Sequence, residues 1–322
     1  MTETILDLNQ AGPVAIDHVI GQRRAVLQLR TALDAHVNDR AAARGGNAPA
    51  LPHILLVGPP GLGKSTLAQI VAREIGGTLH EELAQNVLIP SHLHGLMLLA
   101  EPYDAVFLDE IHELHVTTQT TLYRCLEERR LFLPSTPDGR RQSIELPPFT
   151  FLGATTDEWA ITKPLRDRFK IVVRLDYYSE DELTEVVAQR ARRLGWTITD
   201  AAVRGIASRG RGTPRLALRL LEATRRTARA QGAMHLTVDH LRRTCEIEGI
   251  DRLGLDALEQ RYLAILRQAG GPVRLNVLAT RLGLPRLTIE RIVESDLIRL
   301  GLVVKDNDGR VLTAEGLQHV RA

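Results

Sequence analysis

Four short apolar runs stand out in the first half of the chain: Ile54-Leu55-Leu56-Val57, Ala105-Val106-Phe107-Leu108, Phe149-Thr150-Phe151-Leu152 and Ile171-Val172-Val173-Arg174-Leu175. They are nearly continuous rather than alternating, the pattern of strands covered on both faces of a parallel sheet. Stretches with helical spacing separate them. Gln22–Val37 places apolar Val26, Leu27, Leu29, Leu33 and Val37 on a helix, and residues 64–75 read as another. Ala41–Pro52 is small, glycine-containing and loop-like. Strands alternating with helices predict an α/β fold.

The pattern changes after Tyr178. Ser179 with Glu182 three residues later is a capping box, and the chain is helical to about Gly249 without strand-like runs. From Leu253 three helical stretches (255–269, 274–282, 286–300) precede two β-like runs around Asn307-Asp308-Gly309, the order of a winged helix with its hairpin. The expected domains are 1–178, 179–250 and 251–322.

Composition narrows the function classes. The chain has 322 residues, 44% hydrophobic and 25% charged, which excludes a disordered or collagen-like chain. Two cysteines, Cys125 and Cys245, cannot make a disulfide scaffold. Neither a signal-peptide pattern at the N-terminus nor a run of ~18 apolar residues is found, so a cytoplasmic protein without a membrane partner is expected. A net charge of +2 does not by itself indicate nucleic acid. The lysines are Lys64, Lys163, Lys170 and Lys305, in a chain otherwise committed to arginine.

One lysine lies in Gly58-Pro-Pro-Gly61-Leu-Gly63-Lys64-Ser65, which matches G-x-x-x-x-G-K-[ST] between a strand and a helix. Glycines let backbone N–H groups curl around phosphates, and the helix N-terminus adds positive potential. Gly58, Gly61, Gly63, Lys64, Ser65 and Thr66 are therefore candidate ATP-binding residues. Asp109 and Glu110 close the second apolar run, at the carboxyl end where ligands of parallel sheets bind. Asp109 with Ser65 would hold Mg²⁺, and Glu110 would orient or deprotonate the attacking water. Histidines 92, 94, 112 and 115 lack H-E-x-x-H spacing and nearby cysteines, and read as ordinary polar or packed residues rather than metal ligands. Phosphoryl transfer needs further positive groups; Arg168 in Pro164-Leu-Arg-Asp-Arg168-Phe169 and Arg215 in Arg211-Gly-Thr-Pro-Arg215 are the candidates.

The order of these motifs, with Asp109-Glu-Ile-His112, Leu146-Pro-Pro-Phe-Thr150 and Gly153-Ala-Thr-Thr156 between them, resembles the RuvB family of AAA+ Holliday-junction branch-migration motors. The resemblance spans about residues 17–322. It implies a P-loop AAA+ parallel sheet with a helical lid domain and a C-terminal winged helix, and an ATP-dependent DNA motor acting in recombination and repair. It implies Thr156 as sensor 1, Arg168 as an arginine finger given to the neighbouring subunit, Arg215 as sensor 2 and Ile20 as an adenine contact. A finger acting in trans implies a homo-oligomeric, hexameric ring. Lys305 and Arg310, on the wing, are the implied DNA contacts, with a four-way junction or duplex as partner.

Several positions depart from the family. Asp157 and Glu113 stand where arginine is usual. Residues 127–147 correspond to the hairpin that docks the RuvA partner, yet the tip is shorter and more polar, with Pro134 and Pro137, which argues against a RuvA-like partner. The wing, Lys305-Asp-Asn-Asp-Gly-Arg310, adds two acids, and residues 251–322 carry 11 basic against 9 acidic side chains, a weak footprint for DNA. The alternative is a RuvB-derived ATPase switch that remodels a protein partner without binding junctions.

Overall fold

The four apolar runs become inner or helix-covered strands of one sheet. A computed structural model describes residues 8, 11–43, 48–133 and 142–321. The strands are β1 (Ile54–Val57), β2 (Leu79–Leu83), β3 (Ala105–Asp109), β6 (Thr150–Thr155) and β7 (Ile171–Arg174), all parallel, in the order β2-β3-β6-β1-β7. Between β3 and β6 lie β4 (Arg130–Phe132) and β5 (Ser143–Glu145), an antiparallel pair. The tip with Pro134 and Pro137 lies outside the described residues.

Strand β2 escapes the apolar-run criterion. Its sequence is Leu-His-Glu-Glu-Leu, because an edge strand buries little and carries charge. The helices are α1 (Arg23–Ala42), α2 (Lys64–Glu74), α3 (Pro90–Leu98), α4 (Val116–Glu128), α5 (Lys163–Arg166) and α6 (Glu180–Arg193). Helix α1 buries Ala25, Leu29, Leu33 and His36, whereas Leu27 and Val37 face solvent. It also runs five residues past Val37, because its last turns are polar and solvated and carry no apolar signal.

Two apolar layers sandwich the sheet. Leu29, Ile54, Leu56, Ile70 and Val71 meet Phe107 in one. Leu55, Val106, Leu108, Leu122, Phe151 and Phe169 fill the other. The capping box at α6 forms in full: Ser179 Oγ accepts from Glu182 N at 3.2 Å, and Glu182 Oε2 accepts from Ser179 N at 2.9 Å.

Further helices are α7 (Asp200–Arg209), α8 (Pro214–Ala230), α9 (Val238–Glu248), α10 (Ala257–Ala269), α11 (Leu275–Leu282), α12 (Arg286–Thr288), α13 (Glu294–Arg299) and α14 (Ala314–Arg321). A π-helical turn, Ile289–Val293, joins α12 to α13. The hairpin is β10 (Val303–Lys305) with β11 (Arg310–Leu312). The helical stretch after Tyr178 is not strand-free: β8 (Thr197–Ile198) and β9 (His235–Leu236) pair in parallel, too short to leave a hydrophobic pattern.

The residues group into two compact units. One is the chain up to Trp196 with Gly212–Arg219; the other is Thr197–Arg211 with the chain from Leu220 onward. In the second unit Arg211, 9% exposed, pairs with the equally buried Glu259 at 2.7 Å, tying the loop before α8 to α10. Gly254 packs where a Cβ would come 2.2 Å from the Arg209 carbonyl oxygen, so no other residue fits there. Among the described residues no helix is long and apolar enough to cross a membrane.

Candidate active site

The loop between β1 and α2 takes its shape from glycine. Gly61 (φ +79°) and Gly63 (φ +100°) occupy a region that L side chains rarely adopt. A Cβ on Gly61 would also lie 2.9 Å from Thr213 Cγ2 and from Arg215 Cβ. The Arg215 backbone amide donates to the Gly61 carbonyl at 3.3 Å, so the second candidate arginine sits on the loop itself.

Lys64 is 6% exposed and folds back over the loop. Its Nζ donates to the carbonyls of Gly58 (2.8 Å) and Pro59 (3.1 Å). Burial lowers its pKa; the nearby carboxylates of Glu110 and Asp109 pull the other way and Arg215 adds to the lowering. Two neutral carbonyls hold an ammonium less strongly than charged oxygens do.

Strand β3 brings in the acids. Although β6 lies between β1 and β3, Ser65 Oγ reaches Asp109 Oδ2 at 3.0 Å. A hydroxyl and a carboxylate, both hard oxygen donors, meet there, a donor set that fits Mg²⁺. Glu110 leaves the strand in a left-handed conformation (φ +51°), and its N–H donates to Asp109 Oδ1 at 2.9 Å. That turn sends its side chain toward the end of β6. There both the N–H and the hydroxyl of Thr156 donate to Glu110 Oε2 at 3.1 Å. The neighbouring Asp157 caps the turn Glu158–Ala160, accepting from Trp159 N and Ala160 N, while its own N–H donates to Thr155 Oγ1.

Three chain models cover these elements. The RuvB P-loop domain of Holliday junction DNA helicases matches residues 12–175, the RuvB AAA lid domain 178–251 and the RuvB C-terminal winged helix domain 252–321. The chain belongs to the RuvB family. Two relatives named Holliday junction branch migration complex subunit RuvB, from Parasynechococcus marenigrum and Paramagnetospirillum magneticum, are each 39% identical over 314 residues, 96% of this chain and 88% of theirs. The Thermotoga maritima RuvB Holliday junction branch migration motor superposes with a TM-score of 0.80 at 32% identity, covering 97% of this chain and 98% of that one. An Aeropyrum pernix ORC2 structure, 19% identical with a TM-score of 0.54, shares the fold.

The other family-implied residues lie apart from this cluster. Arg168 follows α5; its Nη1 pairs with Glu127 Oε1 at 3.0 Å, while its buried Nε finds no partner among the described residues. Ile20 is half-buried before a turn in which Gln22 Nε2 donates to the Asp176 carbonyl at 2.6 Å and Asp176 N donates to Gln22 Oε1 at 3.1 Å. In the second unit, the two wing cations implied by the RuvB pattern turn inward. Arg310 Nε donates to Glu294 Oε1 at 2.9 Å and its Nη2 to Glu290 Oε1 at 3.0 Å. Lys305 Nζ lies 2.9 Å from Glu294 Oε2. Glu294 is fully buried and also accepts from the Tyr262 hydroxyl at 2.9 Å. Burial alone would raise its pKa, but Arg310, Lys305 and Tyr262 together lower it.

Sequence reasoning missed Glu127, Glu294 and the ring of His112, which lies against Glu110. Each is a contact distant in sequence or between neighbouring residues of a turn, and no residue spacing announces it.

Proposed function

We propose that this chain hydrolyses ATP to drive branch migration of Holliday-junction DNA, the activity in its relatives' name. The observation that carries the reading is the convergence of Ser65 on Asp109 and of Thr156 on Glu110 beside a buried, carbonyl-held Lys64. The cradle has roles for every part of the triphosphate. Loop N–H groups and Lys64 take the β- and γ-phosphates, and Ile20 packs the adenine. Ser65 and Asp109 would hold Mg²⁺, which neutralises charge developing between the β- and γ-phosphates. Glu110 orients the attacking water and takes its proton. Thr156 holds Glu110 in place, and Arg215, at the start of α8, senses the nucleotide.

Arg168 completes a neighbouring subunit's pocket in this reading, exchanging Glu127 for a γ-phosphate across a ring, taken as hexameric. The chain is read as three functional parts, 1–178, 179–250 and 251–322, and as a cytoplasmic protein. The test is ATPase rate with and without a four-way junction. Junction DNA should stimulate turnover severalfold, and Glu110→Gln should bind ATP without turnover. ATPase that ignores DNA would overturn the motor.

One observation favours a second reading, a switch acting on a protein partner. The wing cations are paired with Glu290 and Glu294, and Leu287 and Ile292, in the same helical stretch as those acids, are exposed. A gel shift with junction DNA at physiological salt separates the two: the motor binds, the switch does not.

A further inference from the structure

The catalytic carboxylate has a neighbour whose function the ATPase reading leaves open. His112 sits in the turn Ile111–Glu113, directly after Glu110 and anchored by fully buried Ile111. Its ring is mostly shielded, with 17% of the side chain exposed, and both nitrogens are engaged. Nδ1 lies 3.1 Å from Thr155 Oγ1 and 3.3 Å from Glu110 Oε2. Nε2 lies 3.3 Å from Glu113 Oε1. A ring gripped at both ends cannot flip without breaking both contacts, and the partner of one nitrogen decides what the other presents.

We propose that His112 is a positioning residue for Glu110, and that Glu113 orients it. This rests on the ATP-hydrolysis reading above. Glu113 accepts from Nε2–H and fixes the ring plane. Nδ1 is then an acceptor: it takes the Thr155 hydroxyl proton and so fixes the end of β6, where the next residue, Thr156, gives both its N–H and its hydroxyl to Glu110 Oε2. The two donors of Thr156, on a strand end that His112 anchors, thus hold Oε2. Oε1 is left as the oxygen able to take the hydrogen bond, and then the proton, of an attacking water. A carboxylate free to rotate would offer either oxygen at the wrong angle, and misplacement of this kind lowers kcat while leaving ground-state binding intact.

The full-length protein tests this in two ways. In nucleotide-free protein, long-range ¹⁵N–¹H correlation spectra report which nitrogen of His112 carries the proton. Nε2–H is expected in the wild type, and a mixture of both forms in Glu113→Ala. In steady-state ATPase assays, His112→Phe should lower kcat by roughly tenfold or more with KM for ATP held within about twofold. Glu113→Ala should lose about fivefold, and Glu113→Gln, whose amide oxygen still accepts from Nε2–H, should recover most of that loss. An unchanged ring spectrum in Glu113→Ala, or an unchanged kcat in His112→Phe, overturns the proposal. If the wild-type chain hydrolyses no ATP, the functional reading fails, while the ring spectra still decide whether Glu113 orients His112.

Discussion

Thr156 gives both its backbone N–H and its hydroxyl to a single oxygen of Glu110, each at 3.1 Å. The two bonds are separable by mutation. Thr156→Val keeps the side-chain shape and the backbone donor but removes the hydroxyl. We expect kcat for ATP to fall by roughly tenfold while nucleotide affinity stays within about twofold, because the lost bond is to Glu110 and not to the proposed phosphate cradle. Titration with a fluorescent ATP analogue alongside the ATPase assay checks both halves.

Arg168 rests on Glu127 within its own subunit. If it serves a neighbour's pocket, its loss is complementable in a way that loss of Lys64 in the same chain is not. Arg168→Ala and Lys64→Ala should each be inactive alone, since removal of such a finger costs on the order of 10³-fold in rate. Mixed together they should regain activity, because some interfaces then combine an intact loop with an intact arginine. No recovery on mixing would place Arg168 outside any shared site.

Glu294 holds the wing from inside. Replacing it with alanine leaves Arg310, 14% exposed, with only the outer Glu290 carboxylate. Breaking a buried pair from one side destabilises by roughly 3 kcal/mol. Urea unfolding followed by a probe in residues 251–322 should show that loss. If Arg310 and Lys305 contact DNA, Glu294→Gln, which retains the side-chain shape, should tighten junction binding and steepen its salt dependence.

His53 sets an acid limit. Its Nδ1 accepts from Phe151 N at 3.0 Å, joining the start of β1 to β6. Burial, with smaller contributions from Arg129 and Lys170, lowers its pKa to about 4, and a hydrogen bond to the Leu126 backbone pulls the other way. The unfolded chain takes up a proton there near the ordinary value of about 6.5 and the folded chain does not. Stability from this group is therefore full above about pH 6.5 and is lost as pH falls toward 4, by roughly 3 kcal/mol. His53→Asn, whose Oδ1 can still accept from Phe151 N, should flatten that acid limb in denaturation curves measured between pH 7 and 4.

Three of the four strands that announced themselves are almost wholly buried, and the fourth, Ile171–Arg174, is an edge strand covered by α1. Ile54–Val57, Ala105–Asp109, Thr150–Thr155 and Ile171–Arg174 are apolar because helices or neighbouring strands cover them. Leu79–Leu83, the other edge strand, stayed hidden because His80, Glu81 and Glu82 interrupt any apolar run. Helix α14 and the π turn at Ile289–Val293 left no signal that the pattern of apolar residues separates from loop or ordinary helix. At the site, Lys64 and Ser65 were legible because a phosphate cradle demands fixed spacing along the chain, and Asp109 and Glu110 because they close an apolar run. His112 was legible only as a polar residue, since its contacts depend on the left-handed turn at Glu110. Lys305 and Arg310 read as exposed wing cations, because nothing in a one-dimensional pattern shows Glu294 reaching them from beneath.

The outer edge of the sheet has a consequence for how copies of this chain can meet. Strand β2 carries His80, Glu81 and Glu82 there, and the Leu83 N–H already donates to Glu82 Oε1 at 2.8 Å. At the opposite margin Gln28 of α1 donates to the Val172 carbonyl at 3.2 Å. Among the described residues, charge marks one border and a helix side chain meets the other, and both features discourage a sixth strand from another molecule. Contacts between copies made by side chains instead would come apart and re-form far more readily than shared backbone pairing.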